Sequence, residues 1–258
     1  MNPLLRLFYT ARSLVYMLYL YLFIVIVACA GAPFAIFSRQ AARRVARIWA
    51  EIEIFGARWI CGIRIVVEGT EYIPTGPALV AVKHQSMLDT IVPFKLLDDP
   101  TVVAKYELTR LPFVGWYIRW AKLIPVDRGA HIRALKDMAR RANAEVATGR
   151  QLVIFPEGTR RPVAAKPPAY KPGIALLYRE LGVPCTPVAL NTGYCWPAHG
   201  VTRTPGLVTI RFLPPIPPGL PREEFMHAMQ TAIETATDAL PPARPTKKRA
   251  AAPAVQTA

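Results

Sequence analysis

The stretch Ala78-Leu79-Val80-Ala81-Val82-Lys83-His84-Gln85-Ser86-Met87-Leu88-Asp89 decides the fold class. Five apolar residues in a row read as a buried strand. Ser86-x-x-Asp89, directly after it, matches a helix capping box, so the strand hands over to a helix within a few residues. His84 emerges from the strand end, and a carboxylate follows five positions later. The pair reads in two ways. Asp89 caps a helix and His84 is an ordinary strand-end residue, or His84 is a general base that Asp89 orients. On one continuous helix the two side chains would point about 140° apart. With His84 in the loop and Asp89 in the first helical turn, they can meet. No Gly-x-Ser-x-Gly elbow occurs in the chain. A base and its acid without an enzyme nucleophile imply that a hydroxyl of the substrate is activated.

A second stretch repeats the pattern. Gln151-Leu152-Val153-Ile154-Phe155 reads as another buried strand and runs straight into Pro156-Glu157-Gly158-Thr159-Arg160. Gly158 permits a tight turn or a close backbone approach, and Arg160 offers a planar fork suited to phosphate. From Ile63 onward, short apolar strands alternate with helical patterns. Strands are predicted at Ile63–Glu68, Ala78–Lys83, Thr101–Ala104, Gln151–Phe155, Cys185–Asn191 and Leu207–Leu213. Helices are predicted at Ser86–Leu97, Phe113–Ala121, His131–Ala147, Gly173–Leu181 and Pro221–Ala239. Such alternation predicts an α/β fold, a mixed or parallel sheet flanked by helices. Sites in such folds gather at the carboxyl ends of strands, where His84, Glu157 and Arg160 all fall.

Lys83-His84-Gln85-Ser86-x-x-Asp89 and Phe155-Pro156-Glu157-Gly158-Thr159-Arg160 together resemble the glycerolipid acyltransferase family, and within it the 1-acyl-sn-glycerol-3-phosphate (lysophosphatidic acid) acyltransferases. Lys105-Tyr106-Glu107-Leu108 with Leu111-Pro112-Phe113-Val114-Gly115 is similar to the family's segment between its first two motifs. Ile124-Pro125-Val126-Asp127-Arg128 resembles the second motif. Tyr170-Lys171-Pro172-Gly173 resembles the element after the third, and Val183-Pro184-Cys185-Thr186-Pro187-Val188 the fourth. The likeness spans residues 61–220. It departs from the family at Lys83, where asparagine is usual, at Lys122 and Pro125 in the second motif, and in an Ala/Pro/Lys-rich insert from Ala164 to Pro168. The resemblance implies transfer of a fatty acyl group from acyl-CoA or acyl carrier protein to the sn-2 hydroxyl of lysophosphatidic acid. It implies His84 as base, Asp89 as its partner, and Lys105, Arg128, Glu157, Gly158, Thr159 and Arg160 at the acceptor. No cofactor or metal is expected beyond the thioester co-substrate. Other acceptors (a lyso-ornithine lipid, another lysophospholipid, glycerol-3-phosphate) and phospholipid hydrolysis are the alternatives.

The chain has 258 residues, and 32 Lys+Arg against 17 Asp+Glu give a net charge of +15. An excess of this size predicts an anionic partner. No nucleic-acid-binding module is recognisable, whereas anionic membrane lipids fit both the charge and the N-terminus. Leu14 to Phe37 carries no charge and is long enough to cross a bilayer, which takes about 20 residues. A secretory signal peptide is the rival reading, through Ala28-Cys29-Ala30. Arg39, Arg43, Arg44 and Arg47 follow at once, against Arg6 and Arg12 before it, which predicts the catalytic body on the cytoplasmic face. Arg39 to Ile60 reads as a basic amphipathic helix with Val45, Ile48, Trp49, Ile52, Phe55 and Trp59 on one face, suited to a membrane interface or to packing on the catalytic domain. The resemblance implies an N-terminal membrane helix pair. The four cysteines, Cys29, Cys61, Cys185 and Cys195, form no Cys-x-x-Cys pair and fit a reducing compartment. Residues 1–60 are thus expected to be a membrane-associated helical segment, 61–240 the catalytic domain, and 241–258 a disordered basic tail.

Overall fold

The computed structural model describes residues 2–127, 131–163 and 169–242, with the backbone alone for 131–134. Arg128, the insert 164–168 and the predicted tail from residue 243 on lie outside the described residues. Seven strands form one sheet: β1 (Ile63–Glu68), β2 (Ala78–Val82), β3 (Pro100–Lys105), β4 (Ile124–Val126), β5 (Gln151–Ile154), β6 (Cys185–Leu190) and β7 (Gly206–Phe212). Their spatial order is β1-β7-β6-β2-β5-β3-β4. The five from β6 to β4 run parallel, while β7 pairs antiparallel with β6 and carries β1 parallel beside it. The sheet is therefore mixed, as expected. Strand β4, only three residues long and broken by Pro125, lacks the length that marks a strand in sequence.

Alternation along β2 explains the two cores. Val80 and Val82 face one side, where α3 (Leu88–Leu96) and two N-terminal helices, α1 (Pro3–Ala35) and α2 (Arg39–Trp59), pack. Leu79 and Ala81 face the other side, under α5 (His131–Val146), α6 (Gly173–Leu181) and α7 (Arg222–Asp238). Helix α4 (Val114–Trp120) sits at the β4 end and touches α1, where the Tyr117 hydroxyl donates to the Ala28 carbonyl at 3.1 Å.

The expected membrane helix pair is instead one long apolar helix: among the described residues only α1 is long and apolar enough to cross a membrane, while α2 packs against it. It begins at Pro3, eleven residues before the uncharged stretch, because Asn2 caps it with its side-chain oxygen and Pro suits the first turn. Much of its apolar surface is exposed, including Leu4, Leu7, Leu18 and Phe34. The expected apolar stripe of α2 splits. Ala42, Ala50, Glu53, Gly56 and Ala57 are buried, while Ile48, Phe55 and Trp59 face outward. Small residues win the buried face because α1 approaches closely: a Cβ on Gly56 would lie 2.3 Å from the Tyr19 ring. The arginines of α2 also bond inward. Arg39 pairs with Asp99 at 2.6 Å, and Arg43 and Arg47 donate to the carbonyls of Asp98 and Lys95 at the end of α3.

Helix α1 is tied to the sheet-bearing body of the protein by polar contacts as well. The Thr10 and Thr202 hydroxyls lie 2.8 Å apart, and the Arg203 N–H donates to Ser13 Oγ at 2.7 Å. The Arg203 guanidinium lies 4.3 Å from the Trp196 ring centre and 5.3 Å from that of Tyr16, a cation–π clamp across the junction.

Candidate active site

The parallel strands β2, β5, β3 and β4 all end on one edge of the sheet. His84 leaves the end of β2, Glu157 and Arg160 follow the end of β5, and Lys105 is the last residue of β3. This is the shared edge that the strand-end positions of these residues predict.

His84 and Asp89 meet. His84 Nδ1 lies 3.2 Å from Asp89 Oδ2. The capping role is fulfilled at the same time: Asp89 Oδ2 accepts the Ser86 N–H at 2.7 Å and the Gln85 N–H at 2.6 Å, and the Leu88 N–H donates to Ser86 Oγ at 3.0 Å. The cap and the contact with His84 thus coexist in one arrangement. Helix α3 starts two residues later than expected because Ser86 and Met87 form the capping turn. Asp89 Oδ1 accepts from the Ser86 hydroxyl at 3.1 Å and the Thr192 hydroxyl at 2.5 Å. A buried carboxylate held by two backbone N–H groups and two hydroxyls is fixed in place. With Nδ1 turned to Asp89, Nε2 is the free face of the ring, and among the described residues it has no hydrogen-bond partner. The imidazole stacks on Phe155 with centroids 4.1 Å apart.

Glu157 supports the same loop from the neighbouring strand. Its Oε1 accepts the His84 N–H at 2.8 Å, while Oε2 is buried without a partner among the described residues. Burial pushes its carboxyl above the ordinary range. The His84 N–H and the Lys83 ammonium pull it partly back, and Glu234 adds to the rise. The cation beside Glu157 is Lys83, at 3.7 Å, and not Arg160. The turn that carries Glu157 needs its glycine: Gly158 has φ +70°, and the Lys171 side chain packs over its Cα. The Arg161 N–H donates to the His84 carbonyl at 2.9 Å, closing the β5 loop onto the β2 loop.

The other sequence-predicted residues are placed as follows. Thr159 is exposed on the same turn, and Arg160 is half-buried with no hydrogen bond or ion pair among the described residues. Lys105 is exposed at the same edge and pairs with Glu107 at 3.0 Å. Arg128 is outside the described residues.

The acyltransferase family profile matches residues 64–191, from the start of β1 to the end of β6. The 1-acyl-sn-glycerol-3-phosphate acyltransferase alpha of Mus musculus is 30% identical over 197 residues, 71% of this chain and 69% of that one. The chain belongs to the acyltransferase family. The 1-acyl-sn-glycerol-3-phosphate acyltransferase of Pseudomonas aeruginosa is 35% identical over 168 residues, 65% of each chain. The chain thus matches somewhat under two thirds of that relative's length, and 51% of the Cocos nucifera relative of the same name. The crystal structure of the 1-acyl-sn-glycerophosphate (LPA) acyltransferase of Thermotoga maritima superimposes with a TM-score of 0.74 at 26% identity, covering 89% of this chain and 96% of that one.

Against that family frame, several site residues escape the sequence reading. Thr192 and Gly193 follow β6 directly: Thr192 bonds Asp89, and the Gly193 N–H donates to Gln85 Oε1 at 3.1 Å. The strand-end rule that found His84 and Glu157 applies to them equally. Glu234, which binds Lys83 Nζ at 2.6 and 2.7 Å, sits within a regular helix and carries no local mark.

Proposed function

We propose that the protein transfers a fatty acyl group from a thioester to the sn-2 hydroxyl of lysophosphatidic acid, giving phosphatidic acid. The observation that carries this reading is the His84–Asp89 pair with Nε2 left free at a strand end, backed by Glu157. In the proposed step Nε2 takes the proton of the acceptor hydroxyl as its oxygen attacks the thioester carbonyl. The new C–O bond forms and the C–S bond breaks, and the imidazolium returns the proton to the leaving thiolate. Asp89 holds the Nδ1–H tautomer and stabilises the imidazolium. General-base help of this kind accounts for about 10²–10⁴ in rate. Neither a metal nor a prosthetic group enters this scheme.

Arg160, half-buried and without a partner among the described residues beside the base, is the best-supported phosphate ligand. Lys105 joins it in the proposal by its place at the end of β3, and Arg128 by the family resemblance alone. The thioester is that of CoA or of acyl carrier protein, both acidic and both suited to a chain of net charge +15. The exposed apolar surface of α1 supports insertion in a membrane rich in anionic lipid. The arginine excess after α1 supports a cytoplasmic catalytic domain.

The test is acyl transfer by detergent-solubilised enzyme, offering labelled acyl-CoA and acyl carrier protein thioesters with a panel of acceptors. Phosphatidic acid formed from lysophosphatidate alone, and lost in His84→Ala, is expected. Product from a different acceptor keeps the mechanism and moves the substrate. A His84→Ala enzyme at wild-type rate overturns the mechanism.

A further inference from the structure

Lys83 occupies the position directly before the proposed base. Strand alternation turns it away from His84 and toward the face covered by α7. Its ammonium forks onto both oxygens of Glu234 at 2.6 and 2.7 Å and stands 3.7 Å from Glu157 Oε1. The Tyr170 hydroxyl donates to Glu234 Oε1 at 2.6 Å. Lys83 is nearly fully buried and Glu157 is fully so. One ammonium thus sits between two carboxylates, and the nearer acid, Glu234, lies on a helix far down the chain.

We infer that Lys83, held by Glu234 of α7 and Tyr170, is a positioning residue that sets the charge and the place of Glu157 and, through its bond to the His84 N–H, the base itself. The inference rests on the proposed base role of His84. The charge count gives it its direction. With Glu157 ionised, Lys83, Glu157 and Glu234 together carry one excess negative charge, which adds to that of Asp89 in favouring the proton on His84. The charged and titratable groups facing this cluster and the base are Lys83 and His84 from the β2 loop, Asp89 of α3, Glu157 from the β5 loop, Tyr170 before α6, and Glu234 of α7. His227, about two helical turns away on α7, lines the same open hollow as Glu234.

Removing the ammonium leaves two carboxylates facing each other, so Glu157 is harder to ionise and the His84 imidazolium easier to form. Both changes move the acid limb of kcat/KM in the same direction, to higher pH. Removing the charge of Glu234 does the reverse on both counts. The experiment is the pH profile of kcat/KM for lysophosphatidate with the full chain in detergent. Lys83→Met, Lys83→Arg, Glu234→Gln, Glu234→Asp and His84→Ala are compared with wild type.

Lys83→Met is expected to lose about 10–100-fold in kcat/KM, as for a small displacement at a catalytic group. Its acid limb should shift up by about one pH unit, while Glu234→Gln shifts it down by a similar amount. Lys83→Arg should recover most of the loss. Limbs that stay put, or that move the same way in both variants, overturn the inference. Should Lys83→Met fail to fold, Glu234→Gln decides: a downward shift restored by Glu234→Asp supports the inference, and anything else overturns it. An inactive His84→Ala beside unmoved limbs sinks this inference alone. An active His84→Ala sinks the base assignment, and this inference with it.

Discussion

Asp89→Asn separates the two roles that this carboxylate combines. Asparagine is close to isosteric, and its amide oxygen can still accept from the Gln85 and Ser86 N–H groups. Its NH₂ then faces the Ser86 and Thr192 hydroxyls, which can turn to accept. As a helix cap Asn serves about as well as Asp, so a residue that only caps should tolerate the change. As the partner of an imidazolium it should not. At the Nδ1–Oδ2 distance of 3.2 Å and an effective dielectric constant of about 20, the attraction between unit charges is about 5 kcal/mol. The amide dipole retains part of this, so a net loss of about 3–4 kcal/mol remains, or about 10²–10³ in kcat. Weaker bonds from the four other donors should cost the fold about 1–3 kcal/mol. The assay is acyl transfer under saturating thioester and lysophosphatidate at pH 8, with thermal unfolding followed by circular dichroism. A cooperatively folded Asp89→Asn enzyme that keeps a third or more of wild-type kcat would refute the reasoning and leave Asp89 as a cap alone.

Three further outcomes are expected. Arg160→Ala should raise KM for the phosphate-bearing acceptor with little change in unfolding temperature, and an unchanged KM would remove Arg160 from the phosphate site. Gly158→Ala forces a Cβ into the left-handed region and to 3.2 Å from Lys171 Cγ, so it should destabilise by about 1–2 kcal/mol and raise KM. Retained stability and KM would mean that the turn tolerates a side chain. Glu53, buried between α1 and α2 with neither oxygen hydrogen-bonded at good geometry, is pushed up from the ordinary 4.5 to about 8 by burial, with Trp49 and Tyr16 pulling partly back. Below the unfolded value both states hold the proton. As pH rises toward the folded value only the folded state keeps it, so stability falls across that window at about 1.4 kcal/mol per unit at most. Glu53→Gln should therefore raise the unfolding temperature at pH 9 much more than at pH 5, and an equal gain at both would contradict the account.

Much of this architecture is legible before any coordinates. The β2 and β5 segments are short, apolar apart from Gln151 and flanked by charged or turn residues, so their burial and their strand ends could be read directly, and with them His84 and Glu157. Capping chemistry is local, which is why Ser86 and Asp89 could be matched as a box while their second role remained open. What escapes is non-local. Glu234 lies 151 residues from Lys83, and nothing around it distinguishes it from a solvent-facing helical acid. The α2 face was open for a related reason. Sequence left the side with Ile48, Phe55 and Trp59 between a membrane interface and packing on the body; they face outward, and the tightness of the α1 contact selects Ala50, Gly56 and Ala57 for the buried side. Closeness of approach belongs to the partner as much as to the helix.

The clamp of Arg203 between Tyr16 and Trp196, with the Thr10–Thr202 and Ser13–Arg203 bonds beside it, joins α1 to the body of the protein without a free linker. The reaction centre consequently rides at a set height and tilt over whatever surface α1 enters. Under the proposed function a lipid acceptor arrives by lateral diffusion within a leaflet, and its effective abundance is a surface mole fraction, not a bulk molarity. Turnover on vesicles should dilute with inert lipid at constant total acceptor, the kinetic behaviour of an enzyme that works in two dimensions.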